Sequence, residues 1–189
     1  MKLDKKSKIF IIVFFSIILI PVIIIGSINY AKEQELKNRI ENGKTTRTLT
    51  LNSITTAITL NELLEIETSK EYVITDRELK YDNDQTKKDF DVEYTNTSFY
   101  GTHCIMEYFF VDEKLSGIIF DIDTSHWMPK DIYEELVKLN GEPDETDVET
   151  DNKYHYDQYI WYGKNGTLVM VEDKSSKNIE IRFQLEEQW

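Results

Sequence analysis

Three histidines and one cysteine, His103, Cys104, His126 and His155, are the chain's whole stock of soft metal ligands. A zinc site repeats its ligands at short spacings such as C-x-x-C or H-x-x-x-H, and neither spacing occurs. His103 and Cys104 are neighbours on a stretch that alternates like a strand, so their side chains point to opposite faces. Cys104 shares its face with Met106, Tyr108 and Phe110, the setting of a buried, inert thiol. Ser125 and His126 beside Asp121 and Asp123 supply the residue types of a nucleophilic triad. Sequence neighbours rarely face one another, however, and no G-x-S-x-G elbow is present, so the segment reads as a polar loop between strand and helix. Asp121 and Asp123 fall on one strand face, as catalytic carboxylates could, but strand ends also carry acids for solvation alone. The chemistry-bearing residues predict neither an enzyme nor a cofactor.

Two other clusters point to binding. The segment Glu142 to Asp151 (EPDETDVETD) spaces Asp147, Glu149 and Asp151 alternately, like the first ligands of a calcium loop. An EF-hand then requires Gly at its sixth and Glu at its twelfth position, where this chain has Asn152 and Gln158. A solvated acidic loop is the reading that remains, and the alternative it keeps open is a sensor or binder of a small ligand or cation through residues 142–151. In the run from Tyr154 to Tyr162, one strand face collects Tyr154, Tyr156, Ile160 and Tyr162, and the other Tyr159 and Trp161. A sheet covered on one side needs a single apolar face. Aromatics on both faces predict packing against another part of the chain or a partner surface; Tyr156, Tyr159, Trp161, Tyr162 and, from an earlier hairpin, Phe109 are the candidate contacts.

Charge separates the chain into two parts. Its formal net charge is −13; Lys2, Lys5, Lys6 and Lys8 against Asp4 make residues 1–8 +3, leaving about −16 for the remainder. So acidic a body repels phosphate backbones, which argues against nucleic acid. Ile9 to Ile28 then runs twenty residues without a charge, sixteen of them Ile, Leu, Val or Phe. At 1.5 Å per residue that helix spans roughly 30 Å, the hydrocarbon thickness of a bilayer. A cleaved signal peptide has a shorter apolar core and a small-x-small site, and the nearest triplet here is Asn29-Tyr30-Ala31. The expectation is an uncleaved anchor in the cell membrane, with residues 1–8 cytoplasmic and everything after Tyr30 extracytoplasmic by the positive-inside rule. A single cysteine excludes an intrachain disulfide.

The elements that would position these residues follow from periodicity. Residues 29–45 read as a helical stalk, with Glu33/Lys37 and Glu35/Arg39 pairs and Gly43 at its stop. Thr59 to Ile66 is a short helix and Glu71 to Tyr81 a first strand, followed by a polar loop, Asp82 to Asp91. His103 to Val111 and Leu115 to Asp123 form a hairpin. Pro129 to Asn140 (PKDIYEELVKLN) is a helix with Ile132, Leu136 and Leu139 on one face, stopped at Gly141. Tyr156 to Tyr162, Thr167 to Glu172 and Asn178 to Leu185 are strands, the first two joined through Lys164-Asn165-Gly166.

The run CIMEYFFVDEKLSGIIFDI, the helix leading into Gly141-Glu142-Pro143, and YIWYG, TLVMVED and NIEIRFQ together resemble tandem helix-plus-three-strand proteins. These form the β-lactamase-inhibitor-protein-like group, which includes small outer-membrane assembly lipoproteins. The resemblance covers roughly residues 59–184. It implies a non-catalytic binding fold working through the open face of its sheet; the paired cysteines of the group are missing here. The expected fold is therefore α+β. A transmembrane helix (9–28) and stalk (29–45) precede a domain over 46–189, built from two helix-plus-three-strand repeats, about 53–125 and 126–189, in one antiparallel sheet. The expected role is binding of another protein outside the cytoplasm.

Overall fold

A computed structural model describes residues 5–67, 71–77, 89–124, 129–148 and 156–186, with side chains described from Ile24 onward, Arg77 and Pro129 excepted. The chain divides into two compact units, Met1–Arg39 and Ile40–Trp189. The helix α1 (Lys5–Thr46) makes up the described part of the first unit and continues into the second. Most side chains of the 9–28 run lie outside the described residues. Among the described residues no helix is long and apolar enough to cross a membrane. At the described end of the run, Ile24, Ile25 and Ile28 are exposed. Farther along, Lys37 and Glu33 form the expected i,i+4 pair at 2.7 Å.

The helix does not stop at Gly43, as its sequence suggested, but runs on to Thr46. Gly43 is buried because the chain passes close to a strand there. A Cβ at this position would lie 2.7 Å from the Tyr162 carbonyl oxygen and 3.2 Å from Asp144 Oδ2. The second compact unit includes this end of the helix, from Ile40 onward.

The second unit is built on one eight-stranded sheet in the order β1-β2-β3-β4-β8-β7-β6-β5, antiparallel throughout. A short helix α2 (Leu60–Ile66) precedes β1 (Val73–Arg77), β2 (Asp89–Phe99), β3 (Thr102–Val111) and β4 (Lys114–Asp123). A longer helix α3 (Pro129–Asn140) precedes β5 (Glu145–Val148), β6 (Tyr156–Gly163), β7 (Gly166–Asp173) and β8 (Asn178–Leu185). Each set of strands is a meander, and their last members, β4 and β8, lie side by side. Four strands follow each helix, where three were expected. The additions are β2, which begins inside the segment read as a polar loop, and β5, which occupies part of the acidic loop.

Local chemistry explains most boundaries. Thr59 caps α2 reciprocally with Glu62: the Thr59 amide donates to Glu62 Oε2 at 2.7 Å, and the Glu62 amide to Thr59 Oγ1 at 3.4 Å. Asp112 and Glu113, with φ of 51° and 67°, form the two-residue turn of the β3–β4 hairpin. Strand alternation puts Cys104, Met106, Tyr108 and Phe110 of β3, Ile118, Phe120 and Ile122 of β4, and Ile179, Ile181 and Phe183 of β8 in one buried cluster. Leu63 of α2 and Ile132 and Leu136 of α3 join it. Leu139, expected on the same helix face, is 42% exposed.

The cluster is completed by the segment after α1. Leu49, Leu51 and Ile54 are buried in it although residues 47–54 belong to no strand of the sheet. Two asparagine amides supply the missing backbone partners. Asn165 Oδ1 accepts from the Leu49 amide, and its Nδ2 donates to the Leu49 carbonyl, both at 2.8 Å. Asn140 accepts from the Thr50 amide at 2.8 Å and donates to the Thr50 carbonyl at 3.2 Å. Gly163 lets the segment come close, since a Cβ there would sit 2.6 Å from Leu49 Cγ. Arg47 pairs with Asp144, Nη1 to Oδ2 at 2.8 Å and Nη2 to Oδ1 at 3.2 Å; the Tyr162 amide also donates to Asp144 Oδ2 at 2.8 Å.

Two substitutions test this arrangement by thermal unfolding. Gly43→Ala is expected to lower the melting temperature. Alanine favours a helix by about 1 kcal/mol, but overlap with a backbone carbonyl costs more, of order 1–3 kcal/mol. Asn165→Ala leaves buried backbone groups unpaired and is expected to cost ~2–4 kcal/mol; an unchanged melting temperature would show that residues 47–54 do not need the clamp.

Candidate functional site

The two faces of the sheet differ in kind. The face opposite the core carries in-register rows of side chains, because directly paired residues on antiparallel strands lie on the same side. One row runs from Glu93 through Glu107, Ile119, Arg182, Val169 and Ile160 to Glu145. A second runs from Ile105 through Asp121, Glu180, Val171 and Gln158 to Asp147. None of their apolar members belongs to the core cluster. Ile105 is 41% exposed, Arg182 and Gln184 are exposed, and Ile119, Ile160, Val169 and Val171 are half-buried by their neighbours.

Polar contacts within this face are local. Arg182 Nε pairs with Glu180 on its own strand. Asn178 Nδ2 donates to Asp121 at 3.4 Å. The Tyr162 hydroxyl donates to Glu145 Oε1 at 2.7 Å; burial and this carboxylate push the phenol up to about 12. Phe109 packs across Gly117, whose added Cβ would lie 3.7 Å from Phe109 Cδ2.

The expected aromatic contacts therefore divide. Tyr156, 40% exposed, and Tyr162 and Phe109, both half-buried, stand on the open face. Trp161 does not: it is 0% exposed, and its Nε1 donates to the Gly141 carbonyl at 2.7 Å. Tyr159 is also on the covered face, its ring 4.7 Å from that of Tyr133 on α3. Aromatics alternate on both sides of β6 because α3 covers one side, a fact the strand's own sequence does not contain. What sequence reasoning missed were the open-face residues of β8, β7 and β5, whose significance depends on which strands are neighbours.

The acidic segment is likewise divided. Asp144 is fully buried in its pair with Arg47, Glu145 and Asp147 lie on β5, and Glu149 and Asp151 lie outside the described residues. Among the described residues no group of three or more His, Cys, Asp or Glu is placed to hold a metal ion. Ser125, His126 and His155 also lie outside the described residues. Asp121 and Asp123 do share the open face of β4.

A separate polar group sits beneath α2. The Tyr108 hydroxyl donates to Glu67, and Asn52 Nδ2 donates to the same carboxylate oxygen at 2.6 Å. Burial and then Glu67 push the Tyr94 phenol and the neighbouring Cys104 thiol up to about 12. Cys104 is expected to resist a disulfide reagent at pH 8 in the native protein and to react at once in urea. Fast labelling of native protein would contradict the buried, protonated thiol.

No protein family, no curated protein and no solved structure matches this chain.

Proposed function

We propose that this chain is a single-pass membrane-anchored module whose globular unit binds another protein outside the cytoplasm, without catalysis, through the open face of its sheet. The observation that carries the reading is that face itself. It is a broad surface of Ile105, Phe109, Ile119, Ile160, Val169 and Tyr162 that lies outside the core cluster. Apolar side chains collected on an exposed face mark interaction surfaces in soluble domains. Anchoring is supported by the uncharged 9–28 run, by Ile24, Ile25 and Ile28 standing exposed on a helix, and by the lysines that precede them.

The order of elements supports a tandem origin, with helix and meander occurring twice and the last strands adjacent. On this reading each copy has four strands, one more than the helix-plus-three-strand pattern on which the resemblance to the β-lactamase-inhibitor-protein-like group was drawn. The alternative, a sensor or binder of a small ligand or cation, rests on Asp147, Glu149 and Asp151, of which Asp147 alone lies among the described residues.

Photocrosslinking in intact cells tests the proposal. A benzophenone side chain at Ile105 or Ile160 is expected to give an adduct of one defined mass, and the same group at Leu139 on α3 to give none. Ile119→Asp should abolish the adduct while leaving the unfolding free energy within ~1 kcal/mol of the parent's. Identical adducts from all three positions would refute a binding face, and protection of the acidic unit from protease added outside would refute its location.

A further inference from the structure

We infer that Asn140 and Asn165 are modification sites, at which the side-chain amide is lost to the glycine that follows, and that the seated 47–54 segment is what keeps them unreactive. Three of the chain's seven glycines follow an asparagine, in Asn42-Gly43, Asn140-Gly141 and Asn165-Gly166. Asn-Gly is the dipeptide most prone to intramolecular deamidation, because glycine has no side chain to hinder its amide nitrogen. All three steps meet one seam. Gly43 lies against the Tyr162 carbonyl, and the Asn140 and Asn165 side chains hold the backbone of Thr50 and Leu49.

In the reaction the glycine N–H gives its proton to hydroxide, and the nitrogen attacks the asparagine Cγ. A bond forms between them, the Cγ–Nδ2 bond breaks, and ammonia leaves. Water then opens the succinimide at either carbonyl, giving aspartate or, with the main chain rerouted through Cβ, isoaspartate. Attack requires a side chain free to swing Cγ onto the next nitrogen, and the fold denies this twice. Asn165 is 2% exposed and its Nδ2 donates to the Leu49 and Thr55 carbonyls. Asn140 is 5% exposed and its Nδ2 donates to the Thr50 and Leu136 carbonyls. The nucleophiles are held as well: the Gly141 N–H donates to the Val137 carbonyl at 2.7 Å, and Gly166 is paired with Gly163 and Leu185 in the sheet.

The seam cannot shed this lability. Gly141 and Gly166 have φ of 78° and 144°, where a side chain would be strained, and the clamp needs a group that both accepts and donates. When residues 47–54 leave, each amide loses the partners that pin it. Either product then bars their return. A carboxylate has no hydrogen to give the Leu49 or Thr50 carbonyl and brings a charge into a buried site. Isoaspartate adds a main-chain atom to the β6–β7 turn or to the end of α3. Opening of the seam becomes a one-way event, and its frequency sets the lifetime of the globular unit.

The test incubates the full chain in detergent micelles at mildly alkaline pH and follows the amide-to-acid mass change at each asparagine by peptide mapping. Conversion at Asn140 and Asn165 is expected to be at least ten-fold slower in native protein than in urea. Arg47→Lys loses the two-pronged grip on Asp144, and Ile54→Val removes one methyl from the segment. Each should speed both sites at least three-fold while Cys104 stays unreactive to a thiol reagent. Asn165→Asp, the product itself, should leave Cys104 reactive, whereas Asn61→Asp on α2, with the same change of charge, should not. Equal rates in native protein and urea, or rates that neither variant moves, would overturn the protection by the segment. Acceleration seen only together with loss of Cys104 protection would place the opening in the whole unit and overturn it too. Parent-like stability of Asn165→Asp would overturn the one-way step.

Discussion

The covered face of this sheet is sealed by a piece of chain that belongs to no strand, and that constraint organises the rest. Residues 47–54 bury Leu49, Leu51 and Ile54 among the strand residues. A buried backbone must still find hydrogen-bond partners. Asn165 in the β6–β7 turn and Asn140 at the end of α3 provide them, each amide giving and accepting as a neighbouring strand would. Arg47 and Asp144 fix the start of the same segment. Removing either partner of so buried a pair would strand a charge, so the ion pair sets position more than it adds stability.

This clamp joins parts of the sequence that are distant from one another. Asn140, Asp144, Trp161, Gly163 and Asn165 all belong to the second half of the chain, and all meet the end of α1, the segment that follows it, or the turn after α3. Gly43 is buried for the same reason, and α1 runs on past it to Thr46.

Sealing one face leaves the other to carry the in-register rows of acidic and half-buried apolar side chains. Its strands alternate apolar and acidic positions in register, a pattern that a solvated sheet face does not require.

Much of the architecture was legible from local patterning. Helix α3 came from its 3.6-residue period and its Pro and Gly punctuation, β8 from strict alternation, and the β3–β4 hairpin from its acidic turn. Strands β2 and β5 were not legible. Strand β5 is polar and lies at the sheet edge, where backbone pairing holds it, and β2 sends Val92 and Tyr94 into the core but begins among acids that read as a loop. Trp161 and Tyr159 read only as candidate partner contacts, because aromatics on both sides of a strand say that both are covered, not by what. The sequence by itself determined the α+β class, the helix-then-strands order, the charge asymmetry and the apolar 9–28 run, all of which are properties of neighbouring residues. The tertiary structure alone decided which face of β6 meets α3, that Asp144 is a buried anchor and not a surface acid, and that acids from β2, β3, β4, β5 and β8 share one surface. Those depend on strand order, and strand order is fixed by contacts between residues far apart in the chain.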